Sequence, residues 1–218
     1  MTQKPYEFPV LPAHASGMRI GLLGGSFNPP HVGHRHISLI ALKRLKLDRV
    51  WWLVSPGNPL KDTRGLYTVG ERAEASRFVS AHPKIDISTF EETIDTHYTF
   101  DTLKNLLVRA QGLNFVWLMG ADNLAGFHRW DHWDRLAKMV PFAVIDRPGC
   151  AFKALASPAA KALAPHRIDE ADAAVLPMLR PPAWSFVFGP RSDLSSTALR
   201  REDGDWHPWA LLSAHGIY

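Results

Sequence analysis

Gly24-Gly25-Ser26-Phe27-Asn28-Pro29-Pro30-His31-Val32-Gly33-His34 separates two segments of different periodicity. Before it, Met18-Arg19-Ile20-Gly21-Leu22-Leu23 is a short apolar run, as a buried strand requires. After it, from His36 to Leu47, Ile37, Ile40, Ala41, Leu42 and Leu45 recur mostly three or four apart, as on one face of a helix. Glycines, two prolines, an Asn and two histidines are thus concentrated in one strand-to-helix turn. Such a turn, at the carboxyl end of a first parallel strand, is where α/β sheets take nucleotides. Its glycines let the backbone approach a phosphate. A helix beginning at about Gly33 presents unpaired N–H groups and the positive end of its dipole.

The turn is neither of the two familiar phosphate loops. No Lys-Ser/Thr follows a glycine loop, and no G-x-G-x-x-G is present. The spacing His31-Val32-Gly33-His34 instead resembles the first signature of the nucleotidyltransferases related to class I aminoacyl-tRNA synthetases. The preceding Gly24-Gly25-Ser26-Phe27-Asn28-Pro29 narrows the resemblance to bacterial nicotinate-nucleotide adenylyltransferases. Their opening motif is usually written G-G-[ST]-F-[DN]-P-x-H-x-G-H.

Outward from this turn, strand and helix patterns alternate. Val50-Trp51-Trp52-Leu53-Val54 reads as a second strand, running into the loop Ser55-Pro56-Gly57-Asn58-Pro59-Leu60-Lys61. Thr68-Val69-Gly70-Glu71 has capping-box spacing and opens a helix to about Ala81. Lys84 to Ser88 alternates as a third strand. Thr99 can cap a helix carrying Phe100, Leu103, Leu106 and Leu107. Phe115 to Met119, Phe142 to Ile145 and Trp184 to Phe188 are further apolar strands. The Ala- and Pro-rich stretch from Ala151 to about Arg180 predicts one or two short helices broken near Pro158 and Pro165. Trp206 to His215 reads as a short packing helix. The alternation predicts an α/β fold: a Rossmann-like, doubly wound, mostly parallel sheet with helices on both faces and right-handed crossovers. Residues 1–17, with three prolines and no apolar leader, read as a flexible tail, and 18–218 as a single domain.

Composition narrows the function classes. Hydrophobic residues at 46% and charged residues at 21% are ordinary globular usage and exclude a disordered chain. No apolar run approaches the roughly 20 residues that span a bilayer. The single Cys150 excludes an internal disulfide and a multi-cysteine metal site, and fits a reducing cytoplasm. The net charge of +4 is either a plain surplus of basic side chains or a field suited to polyphosphate. No run of Lys or Arg exceeds two, so nucleic acid is not an expected partner. His31, His34 and His36, with His128 and His132, raise a zinc reading. His31 and His34 flank a turn, however, and no cysteine pair is near, so no metal site is expected. Nothing in the sequence sets an oligomeric state.

Three more segments carry the same resemblance, in the family's order. They are His97-Tyr98-Thr99-Phe100-Asp101-Thr102-Leu103, then Gly120-Ala121-Asp122-Asn123-Leu124 with Phe127 and Trp130, and finally Leu194-Ser195-Ser196-Thr197-Ala198-Leu199-Arg200. The last resembles I-S-S-T-x-[IV]-R, with apolar bulk kept where the residues differ. The resemblance spans about residues 18 to 203. It implies adenylyl transfer from ATP to nicotinate mononucleotide, giving deamido-NAD and pyrophosphate. It implies an ATP site at Gly24, Gly25, Ser26, Phe27, His31 and His34, joined by Gly120 and Asp122. Ser195, Ser196, Thr197 and Arg200 then hold the leaving group, and His31, His34 and Arg200 act in catalysis. The acceptor falls to Asn28, Lys61, Tyr98, Thr99 and Trp130, and Mg²⁺ bridges phosphate oxygens. Each motif also has a plain reading, in which Lys61 is solvated, Thr99 caps a helix and Trp130 is core. Another acceptor, nicotinamide mononucleotide or phosphopantetheine, and a non-catalytic nucleotide- or RNA-binding module remain as alternatives.

Overall fold

The computed structural model describes residues 10–57 and 66–189. The strands are Arg19–Gly25 (β1), Arg49–Val54 (β2), Ile85–Ser88 (β3), Asn114–Gly120 (β4), Phe142–Ile145 (β5), Arg167–Ile168 (β6) and Trp184–Val187 (β7). The helices are Val32–Arg44 (α1), Val69–Ser80 (α2), Phe90–Thr93 (α3), Thr99–Arg109 (α4), Ala121–Leu124 (α5), Trp133–Leu136 (α6), Ala151–Leu155 (α7) and Pro158–Ala162 (α8). The strands join in the order β3-β2-β1-β4-β5-β7-β6, and every pairing is parallel. The inner strands, covered on both faces, have no solvent side, which is why β1, β2, β4, β5 and β7 read as apolar runs whereas the edge strand β3 alternates.

Two apolar layers cover the sheet. On one face Ile20, Leu22, Trp51, Phe115, Trp117 and Phe142 pack with Leu103 and Leu106 of α4 and with Leu124 and Phe127. On the other Leu23, Val50, Trp52, Val116 and Leu118 pack with Ile37 and Ala41 of α1 and Ala73 of α2. The expected doubly wound sheet is therefore present. Its order reverses between β1 and β4, so their carboxyl ends open a crevice at the switch point, where such sheets bind ligands. Leu22 lies abreast of Trp51 on one side and Trp117 on the other. Two residues on, a Cβ at Gly24 would stand 2.5 Å from the Trp117 ring. Glycine there lets the indole reach the floor of the crevice.

The predicted box at α2 is observed. Thr68 Oγ1 accepts from Glu71 N, and Thr68 N donates to the Glu71 carboxylate. One expectation, the cap at Thr99, needs correction. In the described part of the N-terminal stretch, Leu11 packs on the core, His14 meets the Trp51 ring edge-on at 5.7 Å, and Gly17 N donates to Gly112 O. Apolar and hydrogen-bonding partners outweigh the loop-like composition there. Thr99 is the first helical residue of α4, not its cap. Tyr98 holds the cap position through its backbone alone. In the Ala/Pro-rich stretch the two expected short helices, α7 and α8, are separated just before Pro158; Ser157 Oγ accepts from Ala160 N, and proline suits the first turn of α8. That stretch also contributes β6, whose two residues are too few to show a period, and a 3₁₀ segment from Glu170 to Met178.

Gly24→Ala is expected to lower the unfolding free energy by about 1–3 kcal/mol, because the methyl overpacks the Trp117 ring. Urea unfolding of the two proteins checks this. An unchanged midpoint and slope would show that the indole moves aside freely.

Candidate active site

The site begins with how α1 starts. His31 is extended (φ −150°, ψ 164°) and is the N-cap of the helix. Its Nδ1 accepts from Gly33 N at 3.1 Å, while His31 N donates to Nδ1 of His34 at 3.2 Å. The chain has built a capping box out of two imidazoles, in place of the usual Ser/Thr and Glu. A backbone N–H can only donate, so both Nδ1 atoms are acceptors and each neutral ring carries its proton on Nε2. The rings lie with centroids 3.8 Å apart. His31 is only 2% exposed. Burial, with the charge of Arg147 added, pushes its pKa down to about 3, so it is a neutral donor near pH 7.

A second set of contacts fixes the turn from below. Phe27 takes a left-handed backbone (φ 47°), and its ring, 1% exposed, stacks on Trp52 of β2 at 5.0 Å and touches His34 at 4.7 Å. Phe27 therefore serves through its backbone and through packing; its ring is not open to a ligand. Trp52 Nε1 donates to Ser38 Oγ, which donates to His34 O. Asn28 is buried and precedes a cis bond to Pro29. The helix start is thus clamped between β2 and its own first turns.

Across the crevice, β4 ends at Gly120, where a Cβ would meet the Asp122 carboxylate and the Arg147 side chain. Arg147 Nη1 donates to Asp122 Oδ2 at 3.3 Å. The Asp122 side chain is half exposed, so this pair is weak in water. Arg147 follows β5, and its field reaches His31. Sequence reading left it out of the site. The signal available was its place just after an apolar strand, in Asp146-Arg147-Pro148-Gly149.

α4 and the segment around Trp130 pack against each other. Phe100 lies 4.9 Å from the His132 ring, and Arg135 covers the Phe100 ring at 4.8 Å. Tyr98 is 44% exposed. Trp130 is half-buried and meets Trp117 and Phe127 edge-on, at 6.3 and 5.3 Å. Beneath, Thr102 Oγ1 donates to the Glu91 carboxylate at 3.0 Å. Burial pushes Glu91 up to about 7, and the Thr102 bond partly offsets that. The structure thus brings His31, His34, Gly120, Asp122 and Arg147 to the carboxyl ends of β1, β4 and β5, while Tyr98 and Thr99 open α4 and Trp130 packs on Trp117 of β4. Lys61, Ser195, Ser196, Thr197 and Arg200 lie outside the described residues, as does the expected helix from Trp206 to His215. Among the described residues, no three His, Cys, Asp or Glu converge as metal ligands would, and no helix is long and apolar enough to cross a membrane.

The sequence profile of the cytidylyltransferase-like family matches residues 22–202. A protein of Bradyrhizobium sp. (strain ORS 278), named a probable nicotinate-nucleotide adenylyltransferase, is 60% identical over 87% of this chain and 98% of its own length. One of the same name from Methylorubrum extorquens (strain PA1) is 55% identical over 84% of this chain and 99% of its own. Among solved structures, the nicotinic acid mononucleotide adenylyltransferase of Plasmodium falciparum, complexed with NaAD, superposes with a TM-score of 0.62. It covers 86% of each chain at 18% identity, a likeness of fold.

The low pKa of His31 has a stability consequence. The unfolded chain protonates this ring below its ordinary value of 6.5, whereas the folded protein does so only near 3. The stability is therefore complete above pH 6.5 and falls as pH drops through that window. Between pH 6.5 and 5, His31 alone should remove about 2 kcal/mol. His31→Asn keeps a capping acceptor and should abolish that part of the acid sensitivity in urea unfolding at the two pH values. Identical pH slopes for the two proteins would contradict it.

Proposed function

The chain belongs to the cytidylyltransferase-like family and, within it, to the nicotinate-nucleotide adenylyltransferases, and from that membership we propose how its crevice carries out the transfer. ATP is the donor and nicotinate mononucleotide the acceptor; deamido-NAD and pyrophosphate are the products, a step in NAD biosynthesis. A phosphate oxygen of the mononucleotide attacks the α-phosphorus of ATP, and the α–β phosphoanhydride bond breaks. The attacking monoester is already ionised near pH 7, with a second pKa of about 6, so no general base is needed. What remains is alignment and neutralisation of charge.

The observation that carries this reading is the two-histidine cap at the switch point. Both imidazoles have their proton on Nε2, and the first turn of α1 supplies further N–H donors and a positive dipole end. His34 takes the α-phosphate in the transition state and His31 the triphosphate. Arg147 adds positive field. Gly24, Gly25, Ser26 and Gly120 keep the backbone close to the nucleotide. Ser195, Ser196, Thr197 and Arg200 hold the departing pyrophosphate, and Asn28 and Lys61 the acceptor phosphate. Trp130 offers a ring to the pyridine. The N-terminus of α4, at Tyr98 and Thr99, favours a nicotinate carboxylate over an amide by about 0.3–2 kcal/mol. Asp101 sits in the same turn and opposes that attraction, so the lower end applies.

The donor set fits a Mg²⁺ that arrives on the nucleotide. No three metal-capable side chains converge among the described residues, and Asp122 is engaged by Arg147. Such an ion would supply further charge neutralisation beside that of His31, His34 and Arg147. A cytoplasmic location belongs to the same reading, supported by the single Cys150.

Two measurements test it. Pyrophosphate release from ATP should require added nicotinate mononucleotide and proceed faster than with nicotinamide mononucleotide at equal concentration. Equal rates, or release with neither, would overturn the assignment. His34→Ala should lower kcat by about 10²-fold or more while ATP affinity changes by less than about threefold. Parallel losses in both would remove His34 from the transition state.

A further inference from the structure

Arg72 lies in α2, yet its residue is 0% exposed and its guanidinium faces the loops at the carboxyl edge of the sheet. Every hydrogen bond described for that guanidinium goes to a main-chain carbonyl. Nε donates to Tyr67 O at 2.7 Å. Nη1 donates to both Ser26 O and Ser55 O, the latter at 2.7 Å, and Nη2 reaches Pro56 O at 3.4 Å. Burial lowers its pKa, and the field of Glu92 opposes that. Taking a guanidinium out of water is expensive, so a side chain placed like this needs a compensating role.

The carbonyls identify that role. Ser26 belongs to the turn that ends β1 and leads to His31 and His34. Ser55 and Pro56 follow β2, in the stretch of sequence that includes Lys61. Ser55 N already donates to Gly25 O, the last rung joining the two strands. Beyond that rung the strands offer no ladder. Nη1 then bridges the two loops, Nη2 reaches the second of them at Pro56, and Nε ties both to Tyr67 just before α2. A guanidinium holds its donors at fixed angles, so it sets one separation between the carbonyls it joins.

We propose that Arg72 is a positioning residue for adenylyl transfer: it holds the nucleotide loop after β1 and the acceptor loop after β2 at the separation that in-line attack requires. The proposal rests on the transferase reading above. Arg72 touches neither substrate. Each loop alone can still take its ligand, so losing the brace is felt in alignment rather than in binding.

Arg72→Lys keeps the charge but not the fork, and Arg72→Gln keeps two donors without the charge. Folding is followed by far-UV circular dichroism, ATP binding by calorimetry without acceptor, and turnover by pyrophosphate release. The expected result is a folded Arg72→Lys protein whose kcat falls by about 30–100-fold, the loss typical of a misplacement near 1 Å. Its ATP affinity and its KM for the mononucleotide stay within about threefold of wild type. Arg72→Gln should behave alike. A kcat within about twofold of wild type overturns the proposal. So does an ATP affinity that falls as far as turnover, and so does failure of both variants to fold, which would assign Arg72 to stability alone. Wild-type protein that releases no pyrophosphate with any mononucleotide overturns the transferase reading itself; active wild type with unaffected variants overturns only the role of Arg72.

Discussion

Two backbone amides determine what this site can do. Gly33 N and His31 N are among the donors that a helix start leaves without partners, and each is taken by a histidine Nδ1. The exchange satisfies the cap and at the same time decides the tautomer of both rings. The usual Ser and Glu pair would satisfy the same two amides but would leave no imidazole N–H. Burial then keeps His31 neutral, so the ring donates without bringing a second full charge beside Arg147. The capping of the helix and the tautomer of both rings are one requirement here.

The rest of the described structure keeps that cap in place. Trp52 reaches from β2 through Ser38 to the carbonyl of His34, and Phe27 fills the space between Trp52 and the ring. Gly24 lets Trp117 close the floor. The reversal of strand order between β1 and β4 opens the space above, and Gly120, Asp122 and Arg147 line its far side. Arg72 links this assembly to the neighbouring loop. A sheet packed on both faces supplies the stiffness, because its apolar layers leave little freedom to shift.

Much of this was legible in the sequence because the deciding signals are local. Unbroken apolar runs such as Val50 to Val54 and Phe142 to Ile145 require strands covered on both faces. Thr68 and Glu71 stand at capping-box spacing, and His31 and His34 at the same spacing. What escaped depends on contacts between distant segments or on pieces too short to show a period. β6 has two residues. Tyr98 caps α4 with its backbone, which no side-chain preference reveals. Leu11 and His14 look like tail residues until the core they touch exists. Arg147 and Arg72 owe their significance to groups that folding brings near: the imidazole of His31 for one, the carbonyls of Ser26 and Ser55 for the other. A helix pattern alone marks Arg72 only as a polar residue among apolar neighbours. Phe27 sits within a ligand motif, but its ring belongs to the core.

The central claim is that the capped histidines face the phosphates of ATP. A crystal structure of the protein with a non-hydrolysable ATP analogue tests this most directly. The account predicts an α-phosphate oxygen within about 3 Å of Nε2 of His34, the triphosphate lying over the first turn of α1, and Arg200 on the same triphosphate. A triphosphate bound away from α1, or a His34 ring turned so that Nδ1 faces the phosphate, would contradict it.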